Sequence, residues 1–217
     1  MHTMISKKLN KHELKTQETR ELLLRAAHTI FVRDGYEGAE LGEIAALAGR
    51  TKGAIYAHFK SKEDIFLALV EGLMLRYRAE MGEHLGESTS VEGNMAAVRQ
   101  FYLKLAEDKA WALLMLEFKL FTTRHPKSKK RLQTLFAGVI SEKEEKRITE
   151  LLGPASTGKG ALSRVAAIQV LQPMLSALVL EAKVNPELLG DEVIRNIVGQ
   201  VFDALLLVPL GSSKKKS

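Results

Sequence analysis

The chain has 217 residues, of which 46% are hydrophobic and 27% charged, as is ordinary for a soluble globular protein. It contains no cysteine, which excludes disulfide frameworks, zinc sites with cysteine ligands, iron–sulfur clusters and cysteine nucleophiles. The start of the chain lacks the apolar segment of a signal peptide, and no run approaches the ~18 apolar residues of a membrane span. We therefore expect a cytoplasmic protein with one domain or two small ones and no membrane partner.

The net charge of +6 is concentrated near the start of the chain. Residues 1–62 hold 11 lysines and arginines against 7 acidic residues, whereas residues 63–217 hold 21 against 19. Excess positive charge on one segment is typical of a polyanion-binding module attached to a nearly neutral scaffold. Charge alone does not decide this, because neutral enzymes also carry basic tails.

Helical periodicity runs through the chain, and neither sustained alternation nor a hairpin turn predicts a strand. Residues 1–15 form a basic N-terminal arm that we expect to be flexible, whether or not its lysines follow a DNA backbone. An apolar stripe then predicts a first helix from about Thr16 to Gly35. The stripe consists of Leu23, Ala26, Ala27, Ile30 and Phe31.

Two short helices joined by a tight turn are predicted within residues 40–59. The first begins near Leu41 and ends at Gly49, because glycine readily adopts the positive φ that ends a helix abruptly. The second follows Thr51, whose hydroxyl is suited to capping it, and extends to Phe59. This is the form of a helix-turn-helix, whose second helix enters the major groove of DNA.

The outer side of that second helix has chemistry suited to DNA. Two lysines, a phenol and an imidazole provide charge and hydrogen-bonding groups, and small residues allow the backbone to come close. A generic helical hairpin with a solvated charged face is the alternative. The residues concerned are Lys52, Gly53, Ala54, Tyr56, Ala57, His58 and Lys60.

The remainder of the chain is also predicted to be helical. A capping-box-like start at Ser61 predicts a long helix to about Leu85, and Pro173 predicts a kink in a later one. The tail at residues 211–217 is basic, and we expect it to be disordered. Further helices are expected at residues 91–107, 109–124, 127–151, 160–184 and 187–208. The fold class is therefore all-α, with about nine helices.

The helix-turn-helix belongs to a longer pattern: RELLLRAA at residues 20–27, Phe31, DGY at 34–36 and IAALAGRTKGAIYAHFKSKE at 44–63. With these residues at this spacing, the chain from about 16 to 70 resembles the N-terminal domain of the TetR (tetracycline repressor-like) family. The resemblance implies a three-helix DNA-binding domain at residues 16–61 and a helical effector-binding and dimerisation domain at 62–210. It implies a homodimeric transcriptional regulator, most often a repressor that a small molecule releases from double-stranded operator DNA.

The resemblance also implies roles for individual residues. Thr51 and Tyr56 stand at positions that contact phosphate, whereas Lys52, Gly53 and Ala54 begin the recognition helix, which approaches the bases. The full set of implied DNA-binding residues is Arg50, Thr51, Lys52, Gly53, Ala54, Tyr56, His58, Lys60 and Lys62.

Two positions depart from the family pattern. Glu40 stands near the start of the second helix, where threonine is usual, and its carboxylate would repel a nearby phosphate although it suits the helix dipole. Arg50 occupies the turn, where an apolar residue is usual. Its side chain either makes an additional phosphate contact or is simply solvated.

A stripe formed by Trp111, Leu114, Met115 and Phe118 is either ordinary core or one wall of an effector pocket. In the second case the ligand is largely apolar, with methionine side chains as adaptable walls, and no buried charge indicates a charge on the ligand. The pocket candidates are Met81, Phe101, Trp111, Met115, Phe118 and Met174, with Leu105, Phe121 and Phe136 as further members.

The last two predicted helices carry enough apolar surface to bury one face internally and another against a symmetry mate. The resemblance implies a two-fold, four-helix interface between two copies of the chain. The residues expected there are Val165, Ile168, Leu175, Ile194, Ile197, Val201 and Phe202.

No set of residues predicts catalysis, a metal site or a cofactor. The segment from Gly153 to Gly160 nearly matches a phosphate-binding loop, but glycine replaces the required hydroxyl and a charged helix precedes it. The basic run at residues 127–131 is either a solvated helix start or a second polyanion contact.

The first hypothesis is therefore a ligand-responsive DNA-binding homodimer that is not an enzyme. The alternative is a helical small-molecule-binding protein or enzyme whose helix-turn-helix no longer reads DNA, and Glu40 favours it.

Overall fold

The structure is a computed structural model that describes residues 10–86, 88–126, 142–155 and 162–207. Within these residues it contains nine α-helices, a final π-helical turn and no strand, which confirms the predicted all-α class. The helices are α1 (Lys11–Gly38), α2 (Leu41–Leu47), α3 (Lys52–His58), α4 (Lys62–Gly86), α5 (Val91–Leu105), α6 (Lys109–Arg124), α7 (Glu142–Leu152), α8 (Arg164–Val184) and α9 (Asp191–Phe202), and the π-helical turn is Asp203–Leu207.

The chain divides into two compact units, Met1–Gly72 and Leu73–Ser217. The division lies within α4, later than the boundary expected after residue 61. The reason is that the first turns of α4 belong to the core of the first unit. The ring of Phe66 lies 4.9 Å from that of Phe31 and 5.0 Å from that of Tyr36.

The first helix begins earlier than predicted because Asn10 caps it. The Asn10 side chain accepts the backbone N–H of Glu13 at 2.9 Å, and the Glu13 carboxylate accepts the backbone N–H of Asn10 at 2.7 Å. Because of this reciprocal capping box, Lys11 and Lys15 lie in a helix and not in a flexible arm. The part of the arm before residue 10 lies outside the described residues.

Glycine interrupts α1 where the sequence predicted its end. Gly35 has φ of 69°, and one further turn carries the helix to Gly38. Four residues of the predicted stripe, Leu23, Ala27, Ile30 and Phe31, are almost completely buried. An exposed ion pair links α1 to α2, because the guanidinium of Arg33 donates to the Glu43 carboxylate at 2.6 Å.

The helices of the second unit follow the predictions closely at α5 and α6 and less closely elsewhere. Ser163 accepts the backbone N–H of Ala166 at 3.2 Å and so starts α8 at residue 164, later than expected. A turn at residues 186–188 and a cap at Gly190 delay α9 to residue 191. Of the helix predicted at residues 127–151, the structure describes only α7, and the basic run at 127–131 and Phe136 lie outside the described residues.

The helix α8 continues through Pro173 as one element. In the described part of the chain it is also the one helix that is long and apolar enough to cross a membrane, with a mean hydropathy of 1.6 over its most apolar window. The same length and composition are also found in core helices of globular proteins, and Leu171, Leu175 and Val179 of α8 are buried inside the second unit.

Candidate DNA interface and effector cavity

The turn between α2 and α3 has the geometry that the sequence predicted. Gly49 adopts φ of 63°, and the N–H of Arg50 donates to the carbonyl of Ala45 at 2.9 Å, which closes the end of α2. Ile44 and Ile55 are both completely buried, so each short helix is anchored by one isoleucine. A side chain at position 49 would strain this turn, because only glycine adopts that φ freely.

The outer face of α3 is mostly exposed. Thr51 accepts the N–H of Ala54 through its hydroxyl at 3.4 Å, which confirms it as the N-cap. Ile55 and Phe59 anchor the helix, whereas the side chain of Tyr56 is 55% exposed. The remaining members of the predicted set on this face are exposed or half-buried: Lys52, Gly53, Ala54, His58 and Lys60.

Lys62 has intramolecular partners that sequence reasoning missed. Its ammonium donates to the carbonyl of Glu37 at 2.9 Å and to that of Ala39 at 3.2 Å, and it lies 4.9 Å from the centre of the Tyr36 ring. A cation at these carbonyls complements the end of α1, where the helix dipole is negative. Its contact with a DNA backbone stays a prediction.

The two departures from the family pattern are both exposed. Glu40 is the N-cap residue of α2, but its carboxylate makes no capping hydrogen bond. The guanidinium of Arg50 donates to the carbonyl of Gly49 at 3.1 Å. The Glu40 carboxylate is therefore not committed to stabilising the helix that it precedes.

The second unit contains a cavity of about 220 Å³ between α4, α5, α6, α7 and α8. Its walls are mainly apolar, and Leu105 is one of them. Of the six main pocket candidates, five line the cavity: Met81, Phe101, Trp111, Met115 and Phe118. The sixth, Met174, is not among the described lining residues. It lies on the side of α8 that also carries the exposed Val170 and Ala177, one helical turn away in each direction.

Polar residues of the cavity were missed by the sequence analysis. Three cations line it, Arg78 from α4, Lys119 from α6 and Arg147 from α7, together with the amides of Gln169 and Gln172 from α8. Burial lowers the pKa of Lys119. The periodicity contained a signal for one of them, because Lys119 continues the stripe of Trp111 and Met115 at the next helical turn.

The aromatic end of the cavity is organised by one carboxylate. Asp108 accepts the backbone N–H of Trp111 at 2.9 Å and also accepts the hydroxyl of Tyr77. The Tyr77 and Trp111 rings lie 4.6 Å apart. Burial and the bond to Asp108 raise the pKa of Tyr77 to about 12, and the buried indole N–H of Trp111 has no hydrogen-bond partner among the described residues.

Four of the residues expected at a dimer interface are instead buried inside the second unit: Val165, Leu175, Ile194 and Phe202. This is a correction, since the most apolar stripe of a two-faced helix is the one that packs in its own core. Ile168 lines the cavity, whereas Ile197 and Val201 are half-buried. The outward sides of α8 and α9 carry other apolar residues, among them Val184 at 68% exposure and Val193 at 42%.

The described residues hold no group of three or more histidine, aspartate or glutamate side chains placed to bind a metal ion. The phosphate-loop-like segment falls mostly outside the described residues. Its first glycine, Gly153, ends α7 with φ of 73° and accepts a hydrogen bond from Arg164 at 3.2 Å.

Comparison with known proteins places the strongest similarity in the first unit. Residues 23–69 match the family model described as "Bacterial regulatory proteins, tetR family". The chain is 46% identical over 61 residues to the HTH-type transcriptional regulator AcrR of Shigella flexneri, which is 28% of each chain. The chain spans about a quarter to a third of the length of the curated relatives that it matches first.

Solved structures are similar over nearly the whole chain. The fatty acid degradation regulator FadR from Bacillus halodurans has a TM-score of 0.65 at 22% identity, covering 97% of this chain and all of its own. SmeT, the repressor of the Stenotrophomonas maltophilia multidrug efflux pump SmeDEF, has a TM-score of 0.57 at 25% identity over 89% of this chain and 95% of its own. The first likeness, at 22% identity, is one of fold.

Proposed function

Because residues 23–69 match the tetR family of bacterial regulatory proteins, we propose that this chain is a transcriptional repressor of that family, which a small molecule releases from operator DNA. In this proposal, two copies present one α3 each to successive major grooves, which lie ~34 Å apart on one face of the duplex. The cavity of the second unit takes the small molecule. The protein is a regulator and not an enzyme.

The outer face of α3 is the observation that carries the DNA-binding part of this proposal. Anchoring by Ile55 and Phe59 leaves Lys52, Tyr56 and Lys60 exposed on a helix that begins at a capped turn. A helix with cations and a phenol on one open side suits a groove between two phosphate backbones.

The outward faces of α8 and α9 support a homodimer. Val170 and Val184 on α8 and Val193 on α9 are exposed apolar side chains, and Ile197 and Val201 continue the α9 face. Exposed apolar side chains on one face of a helix are characteristic of a protein–protein interface. A second copy that presents the same two helices across a two-fold axis would cover them.

Release from DNA follows if the small molecule prefers the conformation whose recognition helices fit successive grooves poorly. The coupling free energy between two such sites is typically ~1–3 kcal/mol. DNA must weaken ligand binding by the same factor by which the ligand weakens DNA binding. The cavity and its walls lie wholly within the second unit, so that ligand binding is measurable without DNA.

The test is fluorescence anisotropy with duplexes from the region upstream of the protein's own gene, at several salt concentrations. The wild type should bind one duplex with a steep salt dependence, and Lys52→Ala should reduce the slope of log affinity against log salt by ~1. Lys143→Ala, which removes an exposed lysine of α7, is the matched control and should leave the slope unchanged. If selection from random duplexes also yields no bound sequence, the proposal is wrong.

Glu40 favours a second candidate, a helical ligand-binding protein that no longer reads DNA. Its exposed carboxylate precedes α2, where phosphate contacts are implied by the family resemblance. The same anisotropy measurement separates the two candidates, because the second predicts ligand binding without specific DNA binding.

A further inference from the structure

We infer that the cavity of the second unit binds a mostly apolar molecule with one acidic group, and that the acidic group contacts Lys119 at the end of the cavity opposite the Trp111 indole. This inference rests on the proposed function only in treating the cavity as the effector site. It adds the charge and polarity of the ligand.

The charge of the ligand follows from the cations of the cavity. Arg78, Lys119 and Arg147 come from three different helices, and none of the described lining residues is acidic. Among the described residues, neither Arg78 nor Lys119 has an ion-pair partner. Like charges that line one cavity repel each other, and a bound anion relieves that repulsion.

Lys119 is an exposed residue that also lines the cavity. Partial burial against the cavity wall lowers its pKa, which means that its charged form is less well solvated there than in open water. An anion within hydrogen-bond distance stabilises the charged form, since a charge-assisted hydrogen bond is stronger than a neutral one. A neutral ligand would leave this cost in place, and a cationic ligand would increase it.

Trp111 provides the second, independent observation. Its side chain is 5% exposed and lines the cavity, and its indole N–H has no hydrogen-bond partner among the described residues. An indole N–H can only donate, and because the nitrogen itself is buried, a ligand oxygen satisfies it when the cavity wall around Trp111 adjusts. A buried polar group without a partner is uncommon and calls for such an explanation.

The spacing along α6 connects the two observations. Trp111 and Lys119 are separated by two helical turns, or about 12 Å along the axis. Met115 and Phe118 lie between them on the cavity wall. The ligand is therefore apolar in its middle, acidic near Lys119 and able to accept a hydrogen bond near Trp111.

The charge is tested with three ten-carbon probes used below their micelle concentrations: decanoate, decanol and decyltrimethylammonium. Trp111 is the single tryptophan of the chain, so its fluorescence reports cavity binding directly in the DNA-free protein. Decanoate should bind about tenfold more tightly than decanol, which corresponds to one charge-assisted contact, and the ammonium probe should bind most weakly. Equal binding of decanoate and decanol, preference for the ammonium probe, or no binding of any probe would overturn the inference.

The residues are tested with matched variants. Lys119→Gln should remove the preference for decanoate and leave decanol binding unchanged, whereas Lys143→Gln on the exposed side of α7 should change neither. By calorimetry, an ω-hydroxy analogue of decanoate should bind more tightly than decanoate itself, and Trp111→Phe should abolish that difference. An unchanged decanoate preference in Lys119→Gln contradicts the role of Lys119.

The two proposals fail separately in these measurements. A protein that binds decanoate as described but no operator duplex contradicts the proposed function and leaves the ligand inference intact. A protein that binds its operator but shows no charge preference among the probes contradicts only the ligand inference.

Discussion

Tyr77 donates its hydroxyl to Asp108, and the other carboxylate oxygen of Asp108 accepts the backbone N–H of Trp111 at 2.9 Å. A single carboxylate therefore starts α6 and fixes the Tyr77 ring 4.6 Å from the Trp111 ring. Because both rings line the cavity, the helix cap also determines the shape of its aromatic end.

Replacing Asp108 should destabilise the protein more than removing the Tyr77 hydroxyl. Asp108→Ala loses an N-cap, at about 1 kcal/mol, and removes the carboxylate that accepts the half-buried Tyr77 hydroxyl, for a total of about 2 kcal/mol. Tyr77→Phe keeps the cap and should cost about 1 kcal/mol. Urea unfolding measures both, with Glu83→Ala on the exposed side of α4 as a control expected within ~0.5 kcal/mol of wild type. An Asp108→Ala variant no less stable than Tyr77→Phe contradicts the double role of Asp108.

Lys62 and Lys52 should differ in what their removal changes. Lys62→Ala removes two hydrogen bonds to carbonyls at the end of α1 and should cost about 1–2 kcal/mol of unfolding free energy. Lys52→Ala removes an exposed side chain and should change the salt dependence of DNA binding without changing stability. Thermal unfolding and anisotropy on the same two variants make the comparison. If Lys62→Ala unfolds like wild type, the two carbonyl contacts contribute little.

The features that could be predicted from the sequence are those formed by residues close to one another along the chain. Gly49 and Thr51 act within one turn of the chain, and both have the geometry expected of them. The bond from Lys62 to the Glu37 carbonyl joins residues 25 positions apart, and no local pattern contains it.

The cavity and the dimer faces depend on which helices meet, and periodicity does not contain that information. It located the stripe from Trp111 to Phe118, but not that Arg78 and Arg147 line the same cavity as Lys119. It also detected apolar faces on α8 and α9 without distinguishing the inward from the outward one. Phe202, expected at an interface, is therefore completely buried within its own unit.

The ion pair between Arg99 and Asp203 should make the unfolding free energy depend on pH in the acidic range. The two groups form two hydrogen bonds, at 2.7 and 3.0 Å, and the contact lowers the pKa of Asp203 below its ordinary value of 3.8. Its stabilising contribution is thus present above that ordinary value and is lost as the pH falls through the lowered pKa.

Asp203→Asn should accordingly reduce the unfolding free energy at pH 7 by less than about 1 kcal/mol, because both side chains are about one-third exposed. The difference from wild type should shrink as the pH is lowered below the ordinary carboxyl range. Asp191→Asn is the control, since Asp191 is 77% exposed and should contribute less. Urea unfolding at neutral and acidic pH measures both, and a deficit that grows on acidification would reverse the assigned sign.

The oligomeric state should depend on the outward faces of α8 and α9. Val193→Asp combined with Val184→Asp places charges on the proposed interface and should give a monomer by light scattering, because a buried unpaired charge is costly. Leu75→Asp, which changes an equally exposed leucine of α4, should leave the dimer intact. Circular dichroism should show both variants folded. A stable dimer in the double variant would place the interface elsewhere.

Glu40 should weaken DNA binding, and its replacement should strengthen it. The carboxylate is exposed at the start of α2 and makes no capping hydrogen bond, so Glu40→Gln should leave the helix and its stability unchanged. Removing one negative charge near phosphates should tighten binding to all duplexes by about twofold to fivefold at low salt, an effect typical of exposed charge pairs. The gain should diminish as salt is added, because screening weakens exposed charges. Glu83→Gln, the same change on α4 in the second unit, is the control for the lost charge as such. Equal gains in the two variants would indicate a general charge effect, and unchanged affinity in Glu40→Gln would show that no phosphate lies close to this residue.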